Sequence, residues 1–218
     1  MFKVDAEEAT PICVAVVKAA LERVPLDIDL RYAVNDFVLN ATALLLADAA
    51  GEPLQEIFQL AQAAGITVPQ MEAVRQVATG QTAVTAGAIL VMDSLVQYAL
   101  ATEGAIIAAT TFTNRDDVEA LRLVINDAFA PSEEKAADAM DSTTYQQLVS
   151  LHAMISYFLT TTAQPLPRML DFEFAAPLPT LVAAYKLYAD ASRADELRDQ
   201  NRVVHPLFMP PIGRALSA

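Results

Sequence analysis

Cysteine occurs once, as Cys13 in the apolar run ICVAVV, so no intrachain disulfide can form and no cysteine-based metal site can be assembled. A small buried hydrophobe is the reading for it. Histidine occurs twice, at His152 and His205, and the two do not stand at metal-ligand spacing. The six glycines form no phosphate cradle and no nucleophile elbow. Lys and Arg number 14 against 27 Asp and Glu, a formal net charge of -13. With no basic run to neutralise phosphates, the main source of non-specific affinity for DNA or RNA is missing, and no direct nucleic-acid binding is expected. The acidic excess lies in residues 1–165, whereas 166–218 balances.

The opening MFKVDAEEATPICVAVV has acids and a proline where a signal peptide needs a basic region and a clean apolar stretch. Synthesis and retention in the cytoplasm are the expectation. The most membrane-like segment, AVTAGAILVMDSLVQYALATEGAIIAA, is broken by Asp93, Gln97 and Glu103 and lacks closely flanking Lys or Arg, so it reads as a buried helix rather than a span.

What is present is helix. Hydrophobic residues make up 54% of the 218 and charged ones 19%, enough for a sizeable core and an apolar assembly surface. Prolines fall near predicted helix starts and glycines near helix ends. Thr10 and Pro11 are expected to open a first helix running to about Val24. A second continues through LRYAVNDFVLNATALLLADAA, with Tyr32, Phe37, Leu44 and Leu45 near one face and Asp36 and Asn40 off it. Further helices follow from Pro53, from about Pro69, through the long apolar segment, and from Thr113 or Asn114, whose Val118, Leu121, Val124, Ile125 and Phe129 make a core face. PSEEKAADAMDS is either loop or a solvated helical extension. The helix TTYQQLVSLHAMISYFLTT places Leu148, His152 and Ile155 on one side.

Near residue 165 the pattern changes. Leu170, Phe172 and Phe174 alternate with Asp171 and Glu173, the period of a half-buried strand. A short helix from Pro179 carries Leu181, Tyr185 and Tyr188 on one stripe. Ser192 and Asp195 form an S-x-x-D capping box for another helix ending near Asn201, and RALS can close as a strand. The expected architecture is mainly α: a multi-helix domain over 1–165, then a small β-α-α-β unit over 166–218.

Two carboxylate pairs, Asp116 with Asp117 and Glu133 with Glu134, have acid-base composition, but both sit where solvated or helix-capping charge is the ordinary explanation. His152 among apolar neighbours reads as a hydrogen-bonded boundary residue. Phe172, Phe174, Tyr185 and Tyr188 suit either a stacking groove or a mini-core. With His205 and Phe208 they make the candidate interaction surface. No catalytic residue, metal or cofactor is expected.

The segment LPTLVAAYKLYADASRADELRDQNRVVHPLFMPPIGRAL resembles the LysM pattern of strand, helix ending in Tyr and a small-residue turn, second helix running to an Asn, and Pro-Gly turn before a last strand. LysM modules bind peptidoglycan, and divergent copies serve as structural elements in phage tails; this copy has AAPLPTL where a GDTL-like entry is usual. More broadly, AATTFTNRDDVEALR, STTYQQLVSLHA, QPLPRMLDFEFAAPLPTLVAAYKLYADASRADEL and NRVVHPLFMPPIGRALS are similar to the C-terminal half of the Mu-like phage DNA circularisation protein family. Members usually carry a further N-terminal domain, whose functions are not transferred to this chain. The resemblance implies a tail or baseplate hub component that contacts other tail proteins, forms a three- or six-fold homo-oligomeric ring and resides in the virion tail after assembly in the host cytoplasm. Peptidoglycan binding at the tail tip and handling of DNA ends are the alternatives it implies.

Overall fold

The structure, a computed structural model, describes residues 1–217. Helix accounts for 71% of it, in nine α-helices among the described residues, and a two-stranded antiparallel sheet lies near the C-terminus. The expectation of a mainly α chain ending in a small β-containing unit is borne out. Two compact units emerge, Met1–Thr110 with Ile125–Ile155, and Thr111–Val124 with Ser156–Ala218.

The first unit contains α1 (Lys3–Glu22), α2 (Ile28–Leu46), α3 (Gly51–Ala63), α4 (Val68–Thr79) and α5 (Ala86–Ala109). The unit boundary falls within α6 (Arg115–Asp138) and α7 (Ser142–Ala163). α1 packs against α2, α4 and α5, and its buried face is built from Ala6, Ala9, Ile12, Cys13, Val16, Val17 and Ala20. That helix starts earlier than Thr10 and carries Pro11 inside it. Pro11 lies on the exposed side, where the carbonyl its ring leaves unpaired is open to water, and the Thr10 hydroxyl donates back to Ala6 O at 2.7 Å instead of capping.

α2 is capped by Asp27, whose carboxylate accepts from Leu30 N at 2.8 Å. Its buried face is Leu30, Val34, Phe37, Ala41 and Leu45. Tyr32, expected beside Phe37, instead stands in solvent at 76% exposure. At 100° per residue, Tyr32 lies well round the helix from Phe37, so the short list of apolar residues mixed two faces.

α5 is long and apolar enough to cross a membrane by length and composition, with 39% of its most apolar 18-residue window buried within the protein. Its buried side includes Leu95, Ala99, Leu100, Ile106 and Ile107. Glu103, almost wholly buried on that side, meets Arg75 Nε of α4 at 3.0 Å. PSEEKAADAMDS is the helical alternative: α6 continues to Asp138 with Pro131 inside it.

In the second unit, Asn114 caps α6 reciprocally. Asp117 N donates to Asn114 Oδ1 at 2.8 Å and Asn114 Nδ2 donates to Asp117 Oδ2 at 2.7 Å. The β-α-α-β order is β1 (Met169–Glu173), α8 (Thr180–Tyr188), a 3-10 turn over Ala191–Arg193, α9 (Ala194–Gln200) and β2 (Ile212–Leu216). β1 and β2 pair antiparallel with Phe172 opposite Gly213. A Cβ at Gly213 would stand 2.7 Å from the Phe172 ring, so glycine is what lets that ring lie across β2. Phe172, Ala183, Ala184, Ala194, Leu197, Met209 and Ala215 form the core, with Phe174, Leu178, Leu187, Tyr188 and Val203 at its edge.

The expected Ser192–Asp195 capping box is not made. Asp190 accepts from Ser192 N at 2.9 Å and sets up the 3-10 turn, while Asp195 pairs with Arg198 at 2.9 Å and Arg193 with Glu196 at 2.7 Å. A carboxylate placed earlier in the chain competes for the same backbone donors and wins.

Candidate interaction surface

The four alanines in the mini-core explain its geometry. α8 turns Ala183 and Ala184 inward, and small side chains let the helix approach the sheet closely. Its larger residues are thereby sent outward. Leu181 and Tyr185, read on one stripe with Tyr188, are each more than half exposed.

The six candidate residues accordingly divide. Phe172 is buried and Phe174 partly so, with ring centroids 5.0 Å apart. The Tyr188 hydroxyl accepts from Leu216 N at 3.1 Å, and the Arg193 guanidinium lies 3.8 Å over its ring. Burial pushes the Tyr188 phenol pKa up, with Arg193 pulling the other way. These three hold the mini-core together. Tyr185, His205 and Phe208 face solvent, and the His205 and Phe208 rings lie 5.3 Å apart.

The turn bearing His205 and Phe208 is tied to the start of α8. Thr180 donates to Pro206 O twice, from its N at 2.7 Å and from its hydroxyl at 3.1 Å, and Leu178 bridges to Met209. Between them opens a groove of about 460 Å³ whose wall brings Leu181 and Leu207 together, with Asp195 and Arg198 on its polar side. Val204, Leu207 and Phe208 extend the apolar surface, each more than half exposed. Leu181, Val204 and Leu207 were not singled out from sequence as surface residues. The pair Ala183–Ala184 was the available signal, because two adjacent alanines between larger residues mark the side of closest approach.

The remaining candidates are structural. Asp117 belongs to the α6 cap, and Asp116 accepts from Met169 N at the start of β1. His152 hydrogen-bonds Glu133 and Asn126, both at 2.8 Å, and stacks on Phe129 with centroids 4.9 Å apart. This fits the reading of a hydrogen-bonded boundary histidine, while Glu134 is exposed. Burial pushes the Cys13 thiol up to about 12, which leaves it unreactive. Among the described residues, no three His, Cys, Asp or Glu side chains stand close enough to hold a metal ion. No protein-family model matches the chain, and no curated protein sequence matches it.

Proposed function

We propose that this chain is a non-enzymatic structural component of a phage tail or baseplate hub, in which the helical part supplies assembly contacts and the β-α-α-β unit holds a neighbouring tail protein. One observation carries the reading: Leu181, Tyr185, Val204, Leu207 and Phe208 are all more than half exposed on a unit whose own core is small. A partner covering them gains about 25 cal/mol for each Å² of apolar surface removed from water. The acidic balance favours a protein partner over nucleic acid. The similarity to the Mu-like DNA circularisation family supplies the setting, with the virion tail as destination, the host cytoplasm as place of assembly, and a three- or six-fold ring of copies. Peptide mass spectrometry of DNase-treated tails separated from heads should find the chain at fixed stoichiometry. Recovery only from infected-cell lysate overturns the tail assignment.

The groove between Pro179–Leu181 and Pro206–Leu207 favours one further reading, a LysM-like peptidoglycan reader, because it is concave and an aromatic residue, Tyr185, lies one turn beyond Leu181. Retention of the purified chain on sacculi that is lost on Tyr185→Ala supports it, and absence of retention dismisses it. Tyr188→Ala does not discriminate, since Tyr188 belongs to the mini-core.

A further inference from the structure

α2 has a second apolar seam, opposite the one it buries. Ile28, Tyr32, Asn35, Leu39, Thr42 and Leu46 follow one another at alternating intervals of four and three residues, the a/d spacing of a coiled coil. All six are exposed. Ile28 at 79%, Tyr32 at 76% and Leu39 at 84% are far from covered by their own unit. In heptad terms Tyr32, Leu39 and Leu46 take a, and Ile28, Asn35 and Thr42 take d. The buried residues Leu30, Val34, Phe37 and Ala41 fall at c and f on the far side.

The flanks of the seam carry opposite charge. Arg31, at g, is the only basic residue of the helix and makes no ion pair among the described residues. On the other flank, Asp29 and Asp36 occupy successive e positions and share an open groove with Glu56 of α3. Asp36 accepts from Asn40 Nδ2 at 3.1 Å and is otherwise turned to solvent. The two residues are five apart, the separation at which a g side chain meets the e side chain of a parallel partner helix. Antiparallel pairing would instead set e against e and bring these carboxylates together.

We infer that α2 pairs with α2 of a second copy of this chain, parallel and in register. Arg31 of each copy then meets Asp36 of the other, so the contact is made twice. Asn35 meets Asn35, which places the polar position at the middle of the seam against a group that can hydrogen-bond it and penalises a shifted register, while the Thr42 hydroxyl, at the edge of the seam nearest α1, already shares a hydrogen bond with Thr10 at 3.1 Å. Tyr32, Leu39 and Ile28 supply the apolar contact. The pairing is a two-fold contact that closes on two copies, so a ring of three or six would need a further contact besides it. It takes its biological setting from the assembly role proposed above, but it is tested on purified protein without any tail.

Two measurements on the full chain decide it. Sedimentation equilibrium should give a mass that rises with concentration above the 23.4 kDa of one chain. Leu39→Glu should return it to one chain with an unchanged circular dichroism spectrum, since Leu39 supports nothing in its own unit. Arg31→Asp and Asp36→Arg should each weaken association at least tenfold, and combining them should restore it. Then Asn35→Cys and, separately, Thr42→Cys should form interchain disulfides on mild oxidation. Cys13, being buried, does not interfere. A single-chain mass at every concentration, association indifferent to Leu39→Glu and charge reversal, or failure of both cysteine variants to cross-link overturns the inference. Absence of the chain from tails would overturn the tail assignment and leave this pairing standing.

Discussion

Asn201 holds the backbone of Arg214 from both sides: its Oδ1 accepts from Arg214 N at 2.8 Å and its Nδ2 donates to Arg214 O at 2.7 Å. The same Nδ2 also donates to Leu197 O at 2.8 Å, so one amide joins the end of α9 to the middle of β2. A two-stranded sheet has little stability of its own, and β2 needs this anchor because its outer edge has no neighbouring strand.

Asn201→Ala should therefore destabilise the protein by about 0.5–1.5 kcal/mol, the net worth of an ordinary hydrogen bond, because the Arg214 groups it releases are open to water and only the bond to Leu197 O is part-buried. Asn201→Asp should be no milder. It keeps the acceptor for Arg214 N but aims a carboxylate oxygen at two carbonyls. Thermal unfolding followed by circular dichroism checks both, and an Asp variant as stable as wild type would show that the amide donor is not holding β2.

The β-α-α-β order was legible because its signals are local: Phe172 and its alternating acids mark a strand, and Pro179 and Asn201 mark helix limits. Which face of each helix is buried was less legible. Tyr32 and Tyr185 are large and apolar enough to suggest a core stripe, yet Phe37 and the pair Ala183–Ala184 take the inner positions. The buried side of a helix is chosen by closeness of approach as well as by hydrophobicity, and the former depends on neighbours distant in sequence. The α9 start was missed for a different reason, since Asp190 and Ser192 are both good turn formers and only geometry ranks them. The Arg75–Glu103 pair spans 28 residues and had no sequence signal.

Ala189 ends α8 with φ of 55°, in the left-handed region, while its N–H bonds Tyr185 O at 2.9 Å. Glycine adopts that conformation without a Cβ clash, although its unfolded chain is freer. Ala189→Gly should raise stability by about 0.5–1 kcal/mol, read as a higher midpoint in urea at an unchanged m value. A lowered midpoint would mean that the end of α8 is fixed by its contacts rather than by its backbone preference.

Glu8 of α1 accepts from Val84 N at 2.7 Å and Thr85 N at 2.8 Å, tying the start of α5 to α1. Hydrogen bonds from Thr85, then Val84, hold its carboxyl pKa below the usual range. With a folded pKa below the unfolded one, its contribution is complete above the ordinary glutamate range and is lost as pH falls through the lowered value. Amide exchange at Val84 and Thr85 should be slow at neutral pH and faster in Glu8→Gln, which can accept only one such bond well. Equal protection in both proteins would show that the carboxylate does not hold these donors.

The buried pair formed by Arg75 and Glu103 makes the sharpest pH prediction. Burial raises the Glu103 pKa, and the Arg75 charge and hydrogen bond at 3.0 Å offset only part of that rise. The folded state therefore holds the Glu103 proton to higher pH than the unfolded chain does, and stability from this group falls as pH rises from the ordinary glutamate value through the raised one. Removing the cation exposes that cost. Arg75→Ala should lose about 3–5 kcal/mol at neutral pH, where the carboxylate is left charged and unpaired in the core. The loss should shrink as pH is lowered and Glu103 takes up its proton. In Glu103→Gln, the amide oxygen still accepts from Arg75 and no charge is buried on that side, so the acid-range slope assigned to Glu103 should vanish. Urea titrations of the three proteins between pH 4 and pH 8 read the differences directly. If the Arg75→Ala deficit stays constant across that range, Glu103 is not the group left unpaired, and the packing of the arginine stem against α5 accounts for the loss instead.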